Sequence, residues 1–348
     1  MSQPFTTRKL TVPYQCPGAA QSLTRLSFTA SLRQMTGPPR AVGESPGAKA
    51  LPATIPGMDG QPAFTLDMPA DLPLPMLIAV PHAGRQYPPE LTARMRLPSV
   101  ASLRLEDRLV DLVGRAVARR TGAALLVAHA PRALIDLNRG SADMDWDMVA
   151  RPWPERPQHA ASSRARSGLG LVPRRLSGVG ELWRGQMASW ELEERLARVH
   201  RPYHRALEDA LARIRAHWGA VLLLDLHSMP PLRSRELSPA ADCVVGDRFG
   251  ATCAAELSAA AIDQLASSGR RPAHNRPYAG GHVLDRHGAP GKQAHAMQLE
   301  LCRTLYLDNR LQDAGPGLSR TVEDVAALVQ RLAAELTALT TNARMAAE

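Results

Sequence analysis

Two histidines follow apolar runs that have the length of buried strands. Residues 221–226 are rich in leucine and lead to His227, after which the prolines at 230–231 stop any strand because proline has no N–H to donate. The shorter run 77–80 leads in the same way to His82. Because an open α/β sheet binds its ligands at the carboxyl ends of its strands, both imidazoles are expected at one such edge. Two histidines at that edge suit a metal site.

A zinc site that carries out hydrolysis needs about three nitrogen or oxygen ligands, a general base and a cation for the developing oxyanion. With two histidines as ligands, the third ligand is expected to be an acid. Asp225 faces the same side as His227 only if the strand stays regular that far. Spacing alone leaves open the candidates Glu90, Glu106, Asp107, Asp111 and Asp225.

Two further charged residues could act on a substrate. Glu300 lies in an alternating run over 294–301. It is either a solvent-facing glutamate of an edge strand or a carboxylate that serves as general base and then as acid. Arg139 follows Asn138 at the end of a predicted strand, 133–137. Its planar guanidinium suits bidentate capture of a carboxylate, and an ordinary surface arginine is the alternative.

Nucleophilic catalysis by serine or cysteine finds less support. No predicted strand leads into a G-x-S-x-G elbow, and Ser228 lacks the sharp turn that would expose a nucleophile. Its four cysteines form no CxxC pair, so neither a disulfide framework nor a thiolate zinc site is expected, and reduced cytosolic thiols are the simplest account. No helix-opening Gly-x-x-Gly-Lys follows Gly280 and Gly281, so this glycine pair is not expected to form a phosphate-binding loop.

Composition is that of a globular protein, with 45% hydrophobic and 22% charged residues among 348. No stretch approaches the roughly 18 apolar residues that a membrane span needs. The net charge of +9 is concentrated at the N-terminus, where residues 1–57 carry six basic residues and one acid. The remaining +4 is ordinary, and no zinc-finger spacing or basic–aromatic interleaving is present, so nucleic-acid binding is not expected.

The chain is predicted to have a flexible extension over residues 1–70 and one catalytic domain over 71–345. The extension is rich in Pro, Gly, Ser and Thr, and it lacks the apolar core of a secretory signal. A start at Met58 or Met68 is an alternative reading of this segment. Apolar runs that alternate with amphipathic segments predict an α/β fold, a mixed and mostly parallel sheet with helices on both faces.

Periodicity and the positions of glycine and proline predict the individual helices, strands and loops. One amphipathic helix is expected over 103–120, with Asp107 and Asp111 on one face. A second is expected over 190–218, broken at Pro202 so that Tyr203 and His204 are exposed. Residues 141–185 predict a long surface excursion that shapes the substrate site. Further expected elements are strands at 124–128 and 241–245, a hairpin-like segment at 280–291, and helices at 252–267 and 322–339.

Eight ordered motifs resemble the N-formylglutamate amidohydrolase family and together span roughly residues 75–310. The motifs are PHAG (81–84), Asp-x-x-x-Asp (107–111), LIDLNR (134–139), GLGLVPR (168–174), RPYH (201–204), LDLHSMPP (224–231), RPYAGGHVLDRHG (276–288) and QLEL (298–301). The resemblance implies a branch of the zinc carboxypeptidase/aspartoacylase fold. It also implies a cytoplasmic enzyme of histidine degradation.

The resemblance further implies a site that binds one Zn²⁺ ion. His82 and His227 are the implied histidine ligands. Related enzymes take their acidic ligand from a His-x-x-Glu motif, but Arg85 stands at that position here. Asp107 is therefore the expected acid, with Glu106 as the alternative.

The family's other roles carry over to matching positions of this sequence. Glu300 is the implied general base, and Arg132 the implied carbonyl polariser. The residues expected to contact the substrate are Asn138, Arg139, Tyr203, His204, Gly280 and Gly281.

The reaction that the resemblance implies is hydrolysis of an N-formyl or other N-acyl amino acid, such as N-formyl-L-glutamate, to formate and the free amino acid. The expected partner is thus a small-molecule substrate, with neither nucleic acid nor a membrane expected, and the sequence gives no indication of oligomeric state. Two alternatives remain at this stage. One is a peptidase or amidase that acts on peptides, and the other is a metal-free relative that binds carboxylates.

Overall fold

The computed structural model describes residues 53–151, 162–233 and 240–345. Within these ranges the main strands are β1 (Phe64–Asp67), β2 (Met76–Val80), β3 (Ala124–Ala128), β6 (Val221–Met229), β7 (Cys243–Gly246), β8 (Pro272–His274) and β9 (Ala294–Cys302). They form one sheet in the order β1-β3-β2-β6-β9-β7-β8. Two short strands, β4 (Arg175–Leu176) and β5 (Gly180–Glu181), pair separately.

The helices of the described ranges are α1 (Pro89–Arg94), α2 (Pro98–Leu105), α3 (Val110–Thr121), α4 (Ser163–Arg166), α5 (Ser189–Arg195), α6 (Arg201–Trp218), α7 (Ala255–Ser267), α8 (His282–His287) and α9 (Leu318–Met345). A π-helical turn, Leu196–His200, joins α5 to α6. Gly219 ends α6 with φ 86°, a left-handed conformation that glycine adopts without steric cost. None of these helices is long and apolar enough to cross a membrane.

The predicted mixed, mostly parallel sheet is confirmed. β3, β2, β6 and β9 run parallel to one another, and β7 is antiparallel to β9. β1 is antiparallel to β3, and β8 is parallel to β7. The central strands β2 and β6 are buried along their whole length, which explains their continuous apolar runs.

The expectation of helices on both faces is confirmed as well. Along β6, Leu223 packs into one core together with Tyr203 and other residues of α6. The neighbouring Leu222 and Leu224 pack into a second core, to which α3, α7 and α9 contribute. Because successive strand residues point to opposite faces, Asp225 and His227 lie on the α6 side.

The predicted domain boundary at residue 71 is too late. β1 lies before it and pairs with β3, and both Ile55 and Ala63 are buried in the core. Four residues that pair along an edge strand leave little periodicity to recognise, which is why the sequence pattern missed them. Residues 1–52, which hold most of the predicted extension, lie outside the described residues.

The single helix predicted over 103–120 is wrong, because the chain breaks between α2 and α3. Leu109 has φ 56°, and the main-chain N–H of Asp107 donates to the carbonyl oxygen of His82 at 2.9 Å instead of continuing a helix. Asp107 and Asp111 therefore do not share a helix face. The apolar period continues across the break although α2 packs Leu105 into one core and α3 packs Val113 and Val117 into the other.

The strand predicted over 133–137 is also wrong. The segment forms turns, in which Leu134 N–H donates to Pro131 O at 2.8 Å and Asp136 N–H donates to Leu171 O at 2.7 Å. Its apolar residues are buried, and an apolar run alone does not distinguish a strand from a buried turn.

Pro202 does not break the helical path, contrary to prediction. It is the second residue of α6 and comes directly after the π-helical turn Leu196–His200, so the helical path continues through it. Tyr203 and His204 are consequently fully buried rather than exposed. The predicted hairpin at 280–291 is likewise replaced by helix α8. The 141–185 excursion contains α4, β4 and β5, and its residues 152–161 lie outside the described ranges.

Candidate metal centre

Three buried side chains converge at the carboxyl edge of the sheet. His82 follows β2, His227 lies near the end of β6, and Asp107 stands in the break between α2 and α3. Each offers one ligand atom, and these atoms lie within 4.8 Å of one another. Oδ2 of Asp107 is 2.9 Å from Nδ1 of His227 and 3.6 Å from Nδ1 of His82. The donor set is two imidazole nitrogens and one carboxylate.

Carboxylates outside this group orient both imidazoles. Nε2 of His82 donates to Asp136 at 2.7 Å, and Nε2 of His227 donates to Asp225 at 2.9 Å. Each ring therefore turns its Nδ1 toward Asp107. Metal-ligating histidines characteristically donate their other ring N–H to a carboxylate in this manner. The residues present thus fit a zinc ion held by two histidines and an acid, with a position left for water.

The structure distinguishes among the five acids that spacing left open. Glu106 accepts a hydrogen bond from Arg108 at 3.0 Å, and Asp111 forms a two-pronged ion pair with Arg85 at 2.8 and 3.1 Å. Glu90 is exposed on α1, and Asp225 contacts the far side of a histidine ring. Asp107 is the acid that lies with both histidines.

Arg303 holds the Asp107 segment in place. Its guanidinium donates to the carbonyl oxygen of Glu106 and, at 3.2 Å, to Oγ of Ser228. The same group lies 3.7 Å from Oδ1 of Asp107. Arg303 thereby ties the helix break to the end of β6, and the sequence analysis did not identify it.

The electrostatics of Asp107 and His227 favour a cation at this candidate site. Although burial opposes ionisation, hydrogen bonding with His227 and His82 holds the pKa of Asp107 below its usual range. Burial also opposes a charge on His227, but Asp225 and Asp107 outweigh it and raise the pKa of this histidine well above its usual value. Binding of a metal ion at Nδ1 would release that proton.

Glu300 lies beside the three ligands. It is the register partner of His227 on the adjacent parallel strand, and it is 8% exposed. β9 lies between β6 and β7, so the alternative of a solvent-facing glutamate on an edge strand is wrong. Gln298 donates to Oε1 of Glu300 at 2.9 Å. Burial raises the pKa of Glu300 to about 7, which suits a group that accepts and returns a proton near neutrality.

The site opens into a cavity of about 210 Å³ whose lining is rich in arginine. The three ligand residues and Glu300 line its floor. Such a concentration of guanidinium groups around few acids favours an anionic small molecule. The arginines of the lining are Arg104, Arg132, Arg139, Arg164 and Arg303.

Arg132 and Arg139 both reach the cavity. Nε of Arg132 donates to Asp136 at 2.9 Å, so this carboxylate fixes Arg132 and His82 together. Arg139 donates from Nε to Leu169 O at 2.9 Å and from Nη1 to Asn138 O at 2.6 Å. These bonds orient its guanidinium, and Nη2 remains as the group that could meet a ligand.

Asn138 and the glycine pair also line the cavity. Oδ1 of Asn138 accepts from the N–H of Val283 at 3.0 Å, and its Nδ2 donates to Gln298 at 3.4 Å. A Cβ on Gly281 would stand 2.6 Å from Oδ1 of Asn138, so only glycine fits against this amide. Gly280 and Gly281 thus bring backbone close to the cavity, as a substrate-binding segment requires.

Tyr203 and His204 are not part of the cavity lining, contrary to the substrate contact predicted for them. Both are fully buried because the helix continues past Pro202. Besides Arg303, two further residues of the site, Gln298 and Asp136, were missed by sequence reasoning. Strand alternation could have revealed Gln298, two residues before Glu300. Asp136 stands two residues before Asn138 within a turn, and no periodicity signals it.

The mixed α/β sheet and the buried His–Asp–His group at its carboxyl edge are typical of a hydrolase. The family model for N-formylglutamate amidohydrolase matches residues 74–307. The chain therefore belongs to the N-formylglutamate amidohydrolase family, which confirms the resemblance drawn from its motifs.

Individual relatives agree with this assignment. The N-formylglutamate deformylase of Pseudomonas aeruginosa is 32% identical over 250 residues, 68% of this chain and 84% of that protein. The N-formylglutamate deformylase of Pseudomonas putida is 31% identical over 246 residues, 68% and 82% of the two chains.

Solved structures agree as well. The crystal structure of N-formylglutamate amidohydrolase from Ralstonia eutropha JMP134 superposes with a TM-score of 0.71 at 32% identity, over 78% of this chain and 97% of that one. A gene product from Agrobacterium tumefaciens has a TM-score of 0.57 at 16% identity, covering 80% and 96% of the two chains, which shows a shared fold only.

Proposed function

We propose that this protein is a zinc-dependent deformylase that hydrolyses N-formyl-L-glutamate to formate and L-glutamate. The observation that carries the proposal is one cavity that joins a His–Asp–His ligand group, a buried glutamate and several arginines. The two Pseudomonas relatives, which carry the name of this activity, support the choice of substrate.

The arginine-rich lining accounts for recognition of an acidic substrate. Arg139 is fixed by two main-chain carbonyls and would use its remaining guanidinium nitrogen to hold a substrate carboxylate. Asn138 stands next to it and is oriented by Val283 and Gln298. With a dicarboxylic substrate, a second arginine of the lining would meet the other carboxylate.

A zinc ion held by His82, Asp107 and His227 would lower the pKa of water toward neutrality and polarise a carbonyl oxygen. Glu300, which lies beside His227, takes a proton from the attacking water as the new C–O bond forms at the formyl carbon. Arg132 lies in the same cavity and is positioned to stabilise negative charge on the formyl oxygen.

Glu300 then returns its proton to the departing nitrogen as the C–N bond breaks. Formate and glutamate result, with one water consumed and no redox change. The raised pKa of Glu300 makes its carboxylic acid a suitable donor for this second step. Gln298, which donates to Oε1, keeps the carboxyl group oriented through both steps.

A substrate panel tests the proposal directly. Purified protein is incubated with N-formyl-L-glutamate, N-formyl-L-leucine, N-acetyl-L-glutamate and a glutamyl dipeptide, and formate and free amino acid are quantified. We expect equimolar formate and glutamate from the first compound, with much slower turnover of the others. A chelator should abolish turnover, and added Zn²⁺ should restore it.

The two alternatives would give different results. Faster cleavage of the dipeptide than of the formyl compound would identify a peptidase. Binding of N-formyl-L-glutamate without turnover, in protein that takes up no zinc, would identify a metal-free carboxylate-binding relative. Either result overturns the proposed activity.

A further inference from the structure

Behind the cavity lies a second cluster of three histidines that the proposed reaction does not use. His200, His204 and His282 each present a ligand atom, and these atoms lie within 4.8 Å of one another. Their ring centroids are 4.5 Å apart for His200 and His204, and 5.2 Å apart for His204 and His282. None of the three lines the substrate cavity.

Local structure explains why these rings meet. His200 ends the π-helical turn and His204 lies four residues later in the first turn of α6, so both rings project from one helix face. His282 is the first residue of α8 and comes directly after Gly281, the glycine that approaches Asn138. Two separate parts of the chain thus supply the cluster.

Hydrogen bonding leaves nitrogen atoms of all three rings available. Nε2 of His200 donates to the carbonyl oxygen of Arg139 at 2.8 Å, which leaves a lone pair on its Nδ1. Nδ1 of His204 lies 3.1 Å from Nε2 of His287, and donation from His204 in this pair leaves a lone pair on its own Nε2. Among the described residues, Nε2 of His204 and Nε2 of His282 are buried and have no hydrogen-bond partner.

Buried polar atoms normally have a binding partner, so the two unpartnered ring nitrogens indicate that an ion or a water molecule binds between them. The surroundings are also suited to neutral imidazoles. His200 and His204 are buried, and burial favours the neutral form of an imidazole. A neutral imidazole is the form that binds a metal ion.

We propose that His200, His204 and His282 bind a second metal ion, a borderline divalent transition ion such as Zn²⁺. Imidazole donors suit zinc and its neighbours, whereas Mg²⁺ and Ca²⁺ prefer oxygen ligands. His287 orients His204, in the role that outer partners have at metal-bound histidines. This site is distinct from the candidate catalytic centre at His82, Asp107 and His227.

The position of the second site suggests that it supports substrate binding. Nε2 of His200 holds the main-chain carbonyl of Arg139, and a Cβ on the following Gly140 would lie 3.5 Å from the His282 ring. An ion that joins these histidines would fix the segment 138–140 from behind. The three histidines are then positioning residues for Arg139.

Metal stoichiometry tests the proposal. Protein is produced with zinc supplied, passed through metal-free buffer, and analysed by mass spectrometry for bound metal. We expect two ions per chain in the wild type, one in His227→Ala, one in His282→Gln and none in the double variant. His217→Asn, which changes an exposed histidine outside both clusters, serves as the matched control and should retain two.

Calorimetric titration of Zn²⁺ into metal-stripped His227→Ala gives an independent measurement. We expect one binding event, which the additional His282→Gln substitution removes. His282→Gln alone should raise KM for N-formyl-L-glutamate several-fold more than it lowers kcat, because Arg139 loses its support. Circular dichroism confirms that each variant is folded.

Two results would overturn the second site. One is an equal metal content in wild type and folded His282→Gln. The other is the absence of a Zn²⁺ binding event in His227→Ala, which would mean that the three histidines do not bind a metal ion. If His282→Gln lacks bound metal while His227→Ala retains it, the result supports the second site and refutes the first.

Discussion

His227 and Glu300 are direct neighbours across the parallel strands β6 and β9, and both side chains lie on the face that packs toward α6. Asp225 and Gln298 form the adjacent pair in the same register, two residues earlier on each strand. Since side chains alternate along a strand, one register fixes a metal-ligand candidate, its carboxylate partner, the candidate base and the amide that orients this base. The relationship gives the proposed chemistry its geometry.

The first prediction concerns Glu300. Glu300→Gln keeps the shape of the side chain and can still accept the hydrogen bond from Gln298, but it cannot accept a proton. Loss of a general base typically lowers the rate by about 10²- to 10⁴-fold. We therefore expect kcat to fall by this factor while KM and zinc content change little. Steady-state kinetics and metal analysis of the same preparation check this, and a variant with near-normal kcat would refute the mechanism.

The second prediction separates the two neighbouring acids. Asp107→Asn should sharply reduce zinc at the catalytic centre, because two histidines alone hold the ion poorly against a chelator. Glu106→Gln is the matched control, since Glu106 pairs with Arg108 outside the ligand group. Competition with a chromogenic chelator measures both affinities. Loss of zinc in Glu106→Gln alone would show that Glu106 is the ligand.

The third prediction concerns Asp136, which the sequence patterns did not reveal. Its carboxylate accepts from both His82 and Arg132. Asp136→Asn retains the volume but weakens the orientation of His82, and such outer partners typically contribute 10- to 100-fold to metal affinity. We expect a loss of zinc affinity in that range by the same chelator competition. An affinity equal to that of the wild type would show that the turn alone orients His82.

The fourth prediction concerns substrate binding by Arg139. Arg139→Ala removes a guanidinium that makes a charge-assisted contact before the reaction begins. Such contacts contribute about 1.5–3 kcal/mol, so KM for N-formyl-L-glutamate should rise roughly 10- to 150-fold. Zinc content should be unchanged. Arg166→Ala provides a control, because Arg166 belongs to the same arginine-rich region but does not line the cavity.

An unchanged KM in Arg139→Ala would assign the carboxylate to another arginine of the lining. Arg104→Ala and Arg164→Ala, measured in parallel, identify which one it is.

The fifth prediction concerns the N-terminal boundary. Deletion of residues 1–52 should leave turnover and the melting temperature unchanged, since the family match and the candidate site both lie downstream. Deletion of 1–70 additionally removes β1 and the buried Ile55 and Ala63, and removing a buried isoleucine side chain alone costs about 2–5 kcal/mol. We expect the longer deletion to lower the melting temperature by several degrees. Equal melting temperatures for the two deletions would show that β1 does not stabilise the sheet.

Local sequence patterns were enough to predict the central strands and the positions of several candidate site residues. Continuous apolar runs predicted β2 and β6. Because His82 and His227 come after these runs, both were predicted to lie at the carboxyl edge of the sheet. The alternating run before Glu300 predicted β9. These predictions succeeded because a strand buried on both faces needs an apolar run, and because ligand-binding residues gather at strand ends. The ordered motifs added the family and the choice of Asp107.

Only the tertiary structure decided which side chains meet. The α2–α3 break that positions Asp107 depends on the carbonyl of His82, and the turn that carries Asp136 depends on Leu171, so neither follows from local preference. The burial of His204 and its proximity to His282 depend on α8 packing behind the cavity. Sequence periodicity reports which face of a segment is apolar, whereas these contacts join residues far apart in the chain. These contacts form only when the distant segments pack together in the folded protein.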